Sequence, residues 1–206
     1  QAINTLLEGS RYELTKKQFY YDLTVLGIGA VKTSFNTSEG VVVDYVDPTD
    51  LVYSYTESPY FDDIYYAGEV KSIPINELVK QFPHLTQEDL ESIVKDKNYH
   101  KTNYNQGHSY SEHDTNKVQV LYFNYKTYMN EVYKVKETGT GADKILPKDD
   151  TFNPPTETEG NFGKLQKSVE VIYEGAMILG TKKLLKWEMA KNMMRPKSDY
   201  TKCRMN

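Results

Sequence analysis

The chain has 206 residues, 38% hydrophobic and 26% charged, with a formal net charge of −4. It is long enough for one large or two small domains with a buried core, yet polar enough that part of it is expected as exposed loop. No run of Lys or Arg forms a phosphate-binding stripe, which argues against tight, sequence-specific duplex binding; no apolar run nears the length of a membrane span, and the lone Cys203 excludes an intrachain disulfide.

Residues 2–26 read as one helix or two in tandem, with Gly9-Ser10 as the weak point and Thr15 as N-cap of the second part. Phe19, Leu23 and Leu26 recur at helical spacing, and Gly27 follows where a left-handed C′ residue is needed. Beyond Gly29 the period becomes two. Val31, Thr33 and Phe35 alternate with Ala30, Lys32 and Ser34, which predicts a strand over 29–35. Asn36 to Gly40 supplies a turn, 41–46 the return strand, and Asp47-Pro48 ends the ladder. Short strands are predicted over 51–55 and 65–72.

Two short helices follow. The first starts near Ser72 to Pro74, carries Leu78 and Phe82 on one face and stops at Pro83; the second is N-capped by Thr86, with Leu90, Ile93 and Val94 on its apolar face. Residues 96–116 hold three of the four histidines and almost no aliphatic residue, and are predicted as a polar loop. A strand is predicted over 118–125, with a hairpin turn at Met129-Asn130 and a return strand over 131–137. Residues 138–167 are punctuated by Gly and Pro and read as a flexible linker. Strands are predicted over 168–173 and 177–187, joined near Glu174-Gly175, with a break at Arg195-Pro196. The organisation is therefore α+β: a helix, hairpin and short-helix block over 1–95, a loop over 96–116, a β-rich block over 117–195 with two long polar loops in all, and the start of a following element over 196–206. A beginning at Gln1 and an end at TKCRMN suggest an excerpt of a longer chain.

Several motifs invite a chemical reading. Gly27-Ile28-Gly29 has a helix before it and a strand after it, the reverse of a dinucleotide-binding loop, and it lacks the third glycine. His84, His100, His108 and His113, with Glu112 and Asp114, are the nearest approach to a metal cluster, but they sit in flexible polar sequence without a supporting frame. The acid pairs Asp44/Asp47, Asp47/Asp50 and Asp62/Asp63 lie in or beside turns, and Asp47 and Asp50 are expected to cap the turn around Pro48. No catalytic residue, metal or cofactor is therefore assigned; the structural motif is Gly27, Gly29, Asp47, Pro48 and Asp50. Trp187, beside Leu184 and Leu185, could anchor a core or an interface. Tyrosine is the compositional outlier at 18 residues, as suits either a β-rich protein or a tyrosine-lined interface.

The run D-L-x-V-x-G-x-G-A-V-K-T from Asp22, the hairpin, and then V-D-Y-V-D-P-T-D-L to Leu51, followed by an acidic, aromatic stretch before a short helix, resembles tailed-bacteriophage portal proteins, the head-to-tail connectors. The match spans about Phe19 to Phe82, with a looser one over 118–125 and 169–179. It leans toward short-tailed phages and the crAss-like group, and covers the region called the wing. The resemblance implies a non-enzymatic subunit of a ring, a dodecamer at one capsid vertex of the virion, assembled in the host cytoplasm. Its implied partners are identical subunits, capsid protein, terminase and tail adaptors. Double-stranded DNA would enter and leave through the channel without sequence-specific binding, and no membrane would be involved. The residues leave two other readings open: a carbohydrate- or host-binding β module displaying tyrosines, and a hydrolase using the acid pairs.

Overall fold

A computed structural model describes residues 11–36, 40–58, 60–103, 117–138, 140–153, 162–190 and 197–205. The fold is α+β. In chain order it contains α1 (Tyr12–Val25), β1 (Ile28–Asn36), β2 (Gly40–Val46), β3 (Leu51–Tyr53), β4 (Tyr66–Pro74), α2 (Ile75–Gln81), α3 (Gln87–Asn103), β5 (Lys117–Glu137), β6 (Asp143–Lys148), β7 (Phe162–Ile178), β8 (Leu184–Met189) and β9 (Tyr200–Arg204). The strands form two antiparallel sheets. One runs β2-β1-β9; the other runs β3-β4-β5-β7-β8, with β6 added along the far end of β5.

Alternation along β4, β5 and β7 divides the larger sheet into two faces. Ile73, Val118, Val120, Ala176 and Ile178 point to one face, where they bury against Leu78 and Phe82 from α2 and its C-terminal end and Ile93 from α3. Burying each of the Val, Ile, Leu and Phe side chains among them contributes about 1.5–3 kcal/mol relative to exposure. Further along the same face, Leu51 and Ala67 pack with Ala30, Val46 and Tyr200 of the smaller sheet. The other face of the smaller sheet carries α1: Thr15 Oγ1 donates to the Val43 carbonyl at 3.4 Å, and the Tyr45 hydroxyl donates to Asp22. The layers therefore run α1, smaller sheet, larger sheet, with α2 and α3 beside the smaller sheet.

Several boundaries differ from the sequence expectation. Within the described residues α1 begins after Arg11, whose φ is 53° and which makes no side-chain cap bond, while Thr15 lies inside the helix and is buried; the expected first part, 2–10, falls outside the described residues. Helix α3 continues to Asn103, where a loop was predicted, so polar composition alone did not end it. Residues 104–116, with His108 and His113, lie outside the described residues.

The expected turns at Met129-Asn130 and Glu174-Gly175 do not exist. β5 runs unbroken for 21 residues and β7 for 17, with Met129 paired to Val169, Asn130 to Ser168 and Gly175 to Phe123. Gly175 is there for space: a Cβ on it would lie 2.5 Å from Cζ of Phe123, whose ring rests on it. The real turns lie at 138–142, where Gly141 has φ 76°, and at 179–183. The predicted linker 138–167 accordingly contains β6 and the start of β7. Residues 200–204 are strand β9 along β1, whereas the break expected at Arg195-Pro196 is outside the described residues.

Candidate functional site

The motif singled out in the sequence folds as one unit. Leu26 closes α1 by donating its N–H to the Asp22 carbonyl at 2.7 Å, and Gly27 takes φ 76°, the left-handed conformation that favours glycine. Gly29 is buried beneath the Phe19 ring; a Cβ there would lie 2.8 Å from Cε2 and 3.1 Å from the Phe19 carbonyl oxygen. At the other end of the hairpin, Asp47 Oδ1 accepts from the Thr49 N–H at 2.9 Å and the Thr49 hydroxyl at 2.7 Å, folding the chain around Pro48. Asp50 contributes through its backbone, donating to the Asp47 carbonyl and accepting from Val70 N–H. Burial, then Asp47 and Glu69, raise its carboxyl above the ordinary range. Asp44 is exposed and faces Lys32 across the ladder. Asp63 is held by Thr56 and the Glu57 N–H, which lower its carboxyl, while Asp62 is exposed.

Both ends of the layer stack carry apolar side chains that the described residues leave uncovered. The outer surface of α1 shows Leu14, Tyr20, Tyr21, Val25 and, just past its end, Leu26, all more than half exposed, interspersed with exposed Glu13, Lys17, Gln18 and Thr24. Its inner side carries Thr15, Phe19 and Asp22 instead, so the expected inward stripe of Phe19, Leu23 and Leu26 holds only in part. At the opposite end, the outer face of the larger sheet presents Val52, Tyr66, Leu121, Phe123, Tyr125 and Met177 around a shallow hollow of about 250 Å³. Trp187 continues it, 44% exposed. It stacks on Tyr173 with centroids 4.9 Å apart and planes 10° from parallel, and approaches Phe123 at 6.0 Å and Tyr125 at 6.2 Å. Gly68 and Gly175 form the floor, and both lie against Phe123. Contiguous exposed apolar surface is a common feature of sites that meet a partner, a ligand or a membrane.

Between the sheets lies a buried ionic knot. Glu69, only 2% exposed, accepts from Lys32 at 2.9 Å, Lys71 at 3.1 Å and the Tyr200 hydroxyl at 3.4 Å. Lys32 also sits over the rings of Tyr122 and Tyr200, at 5.3 and 5.2 Å. Burial first, and then nearby carboxylates, push the Tyr122 hydroxyl up to about 12 and that of Tyr200 higher still. Beside it, Asn124 accepts from Ser198 Oγ at 3.1 Å and Asp199 N–H at 3.0 Å, tying the segment before β9 to β5. A cavity of about 280 Å³ opens next to this knot, with Tyr60, Lys126, Lys197 and Lys202 in its wall. Burial alone lowers the Lys202 ammonium to about 8. All three donors converge on Glu69 Oε1, and the knot is suited to holding two sheets together rather than to moving protons.

Among the described residues no group of three or more His, Cys, Asp or Glu is placed to hold a metal ion; the side chain of His100 lies outside the described residues, and His84 packs edge-on to Phe82. No described helix is long and apolar enough to cross a membrane. Sequence reasoning missed the two uncovered ends. Their signal was present in the odd positions 121, 123 and 125, which carry Leu, Phe and Tyr opposite the buried even ones, and in the apolar outer side of α1. No family model matches the chain, and no curated protein matches it at a significant level.

Proposed function

We propose that the chain is a wing-region building block of a phage portal ring, a structural subunit packed laterally against identical copies around a conduit for double-stranded DNA. The observation that carries this reading is the pair of surfaces at opposite ends of the layer stack whose apolar side chains the described residues leave uncovered, the outer side of α1 and the Trp187 face of the larger sheet. A cyclic ring needs two different, complementary patches on each subunit, because its contacts are heterologous and the chain of contacts must close on itself. A symmetric dimer would need only one. The portal-like order of α1, Gly27, the hairpin and the Asp47-Pro48 turn supports the portal reading, and with it a dodecamer at a capsid vertex of the virion with capsid protein, terminase and tail adaptors as neighbours. In this role the chain carries no catalytic step and no cofactor.

The stacked Trp187 and Tyr173 also support a second reading, an aromatic platform for a carbohydrate on a host surface. Electron microscopy of the intact gene product separates the two. Rings in the wild type that are lost in Trp187→Glu, with the subunit still folded by circular dichroism, uphold the ring; a monomer in both that binds glycans only with Trp187 present upholds the platform and overturns it.

A further inference from the structure

Strand β9 runs antiparallel to β1, and the register places Lys202 opposite Ala30 and Tyr200 opposite Lys32. Side chains alternate across a strand, so Tyr200 and Lys202 share one face of β9. Tyr200 and Ala30 are buried against Leu51 and Ala67 of the larger sheet, and their face is therefore the one turned to the space between the sheets. Lys202 follows Tyr200 into that space, where it lines the cavity of about 280 Å³.

The Lys202 ammonium is short of acceptors. It carries three donors, and its one bond among the described residues is a long one, to the Tyr200 carbonyl at 3.4 Å. The other charged groups in the cavity wall are Asp62, Lys126 and Lys197, and Lys126 is taken by Glu170 at 3.1 Å. Asp199, next to Tyr200, receives the Asn124 amide at 3.4 Å, and Glu69, nearby between the sheets, has three donors of its own. Burial is the one influence on the Lys202 amine, so none of these carboxylates, the exposed Asp62 included, offsets it. The remaining titratable groups of the wall are Tyr60, Tyr65, Tyr66 and Tyr200, and Phe61, Ile64 and Ile172 supply apolar surface.

We propose that this cavity binds a small organic anion, with its acid group on the Lys202 ammonium and its apolar body against Phe61, Ile64 and Ile172. A partly buried cation with no carboxylate beside it has the most to gain from an anion, because a charge-assisted hydrogen bond is stronger in a low-dielectric site than in water. An apolar wall with a few convergent polar groups is the usual make-up of a ligand site. The volume of about 280 Å³ lies just under the range of about 300–1,000 Å³ for drug-sized ligands, which suits a molecule of a single ring. Lysine is a point charge without the fork that favours one planar acid, so a carboxylate and a phosphate share this chemistry. The cavity lies between the sheets, away from the outer side of α1 and the Trp187 face, so binding there neither requires a ring nor follows from one.

The test is isothermal titration calorimetry of the intact chain with sodium benzoate, phenyl phosphate and the neutral benzamide, in phosphate-free buffers of high and low ionisation heat. Saturable binding of benzoate or of phenyl phosphate is expected, with benzamide weaker by about tenfold or more. An anion on Lys202 restores its proton affinity from about 8 toward the ordinary lysine value. Binding at about pH 8.5 therefore takes up roughly 0.7 proton, and at about pH 6.5 almost none. Lys202→Met abolishes the uptake and weakens binding of the anion about tenfold or more. A preference for benzoate assigns the site to a carboxylate and a preference for phenyl phosphate to a phosphate ester, and either upholds it. Should the variant misfold, proton uptake by the wild type decides alone. Absence of saturable binding, benzamide bound as tightly as the anions, binding without proton uptake at the higher pH, or binding that Lys202→Met leaves intact overturns the inference. Rings that bind neither anion overturn it and spare the ring reading; a monomer that binds with this uptake upholds it alone.

Discussion

Glu69 is the residue whose replacement most directly probes how the two sheets are joined. Its side chain is 3% exposed and meets Lys32, 22% exposed, at 2.9 Å, with Lys71, 45% exposed, at 3.1 Å. Glu69→Leu leaves the Lys32 ammonium in a partly buried site between the faces of Tyr122 and Tyr200, with no carboxylate in direct contact among the described ion pairs and Asp199 acting on it from farther off. Breaking a buried pair in this way costs about 3–5 kcal/mol. A chain of this size loses about 2–4 °C in Tm per kcal/mol, which puts the fall at about 6–20 °C. Lys71 reaches water, and the Tyr200 hydroxyl keeps the Tyr122 carbonyl at 3.1 Å, so neither adds greatly to the cost. The double variant Lys32→Met/Glu69→Leu removes both charges at once and returns most of the loss, because a well-packed apolar replacement of a buried pair is often neutral. Urea unfolding of the four proteins gives the coupling, expected at about 1–3 kcal/mol. A loss below about 1 kcal/mol for Glu69→Leu alone, or strict additivity in the cycle, would refute the claim that this pair ties the sheets together.

Other outcomes follow from the same geometry. Gly68→Ala brings a methyl group against the Tyr122 carbonyl oxygen and the Phe123 Cα, which cannot yield, whereas at Gly175 the obstacle is the tip of the Phe123 ring. Thermal unfolding should therefore rank Gly68→Ala, at about 2–3 kcal/mol, as the costlier change and Gly175→Ala as the milder; the reverse order contradicts the assignment. Gly29→Val forces the Phe19 ring off its seat, so α1 should shift on the hairpin and ring formation fall in electron micrographs while the larger sheet keeps its circular-dichroism signal. The Lys202 ammonium is held near 8 when folded and at its ordinary higher value when unfolded. Between pH 8 and the ordinary lysine range the unfolded state binds more protons, and stability rises with pH. Denaturation of wild type against Lys202→Met over about pH 7.5 to 9, before an ordinary tyrosine ionises appreciably, should show this rise in the wild type relative to the variant.

The chain order of helix, break, hairpin and proline turn was readable because each junction is marked by a residue with a local reason to be there: Gly27 for its positive φ, Asp47 for its Asx turn. The long strands were misread where a glycine or an Asn was taken for a turn. Gly175 is required by the ring of Phe123, a residue 52 positions away in the chain, and no local pattern reports such a contact. Helix α3 outran its apolar face because polar residues can extend a helix already anchored by the Thr86–Asp89 capping pair and the buried Ile93. The knot at Glu69 was invisible for a related reason. Lys71 shares a face of β4 with Glu69 by simple alternation, but Lys32 looks like a solvated charge in sequence, and only the packing of β1 on β4 brings it to that carboxylate.

Native mass spectrometry of the intact gene product, purified at near-physiological salt, tests the central claim most directly. A lateral building block with two complementary ends predicts one dominant closed species, with twelve subunits as the portal resemblance implies, and its breakdown to subunits in Trp187→Glu. A monomer or a symmetric dimer at every concentration tested would contradict it.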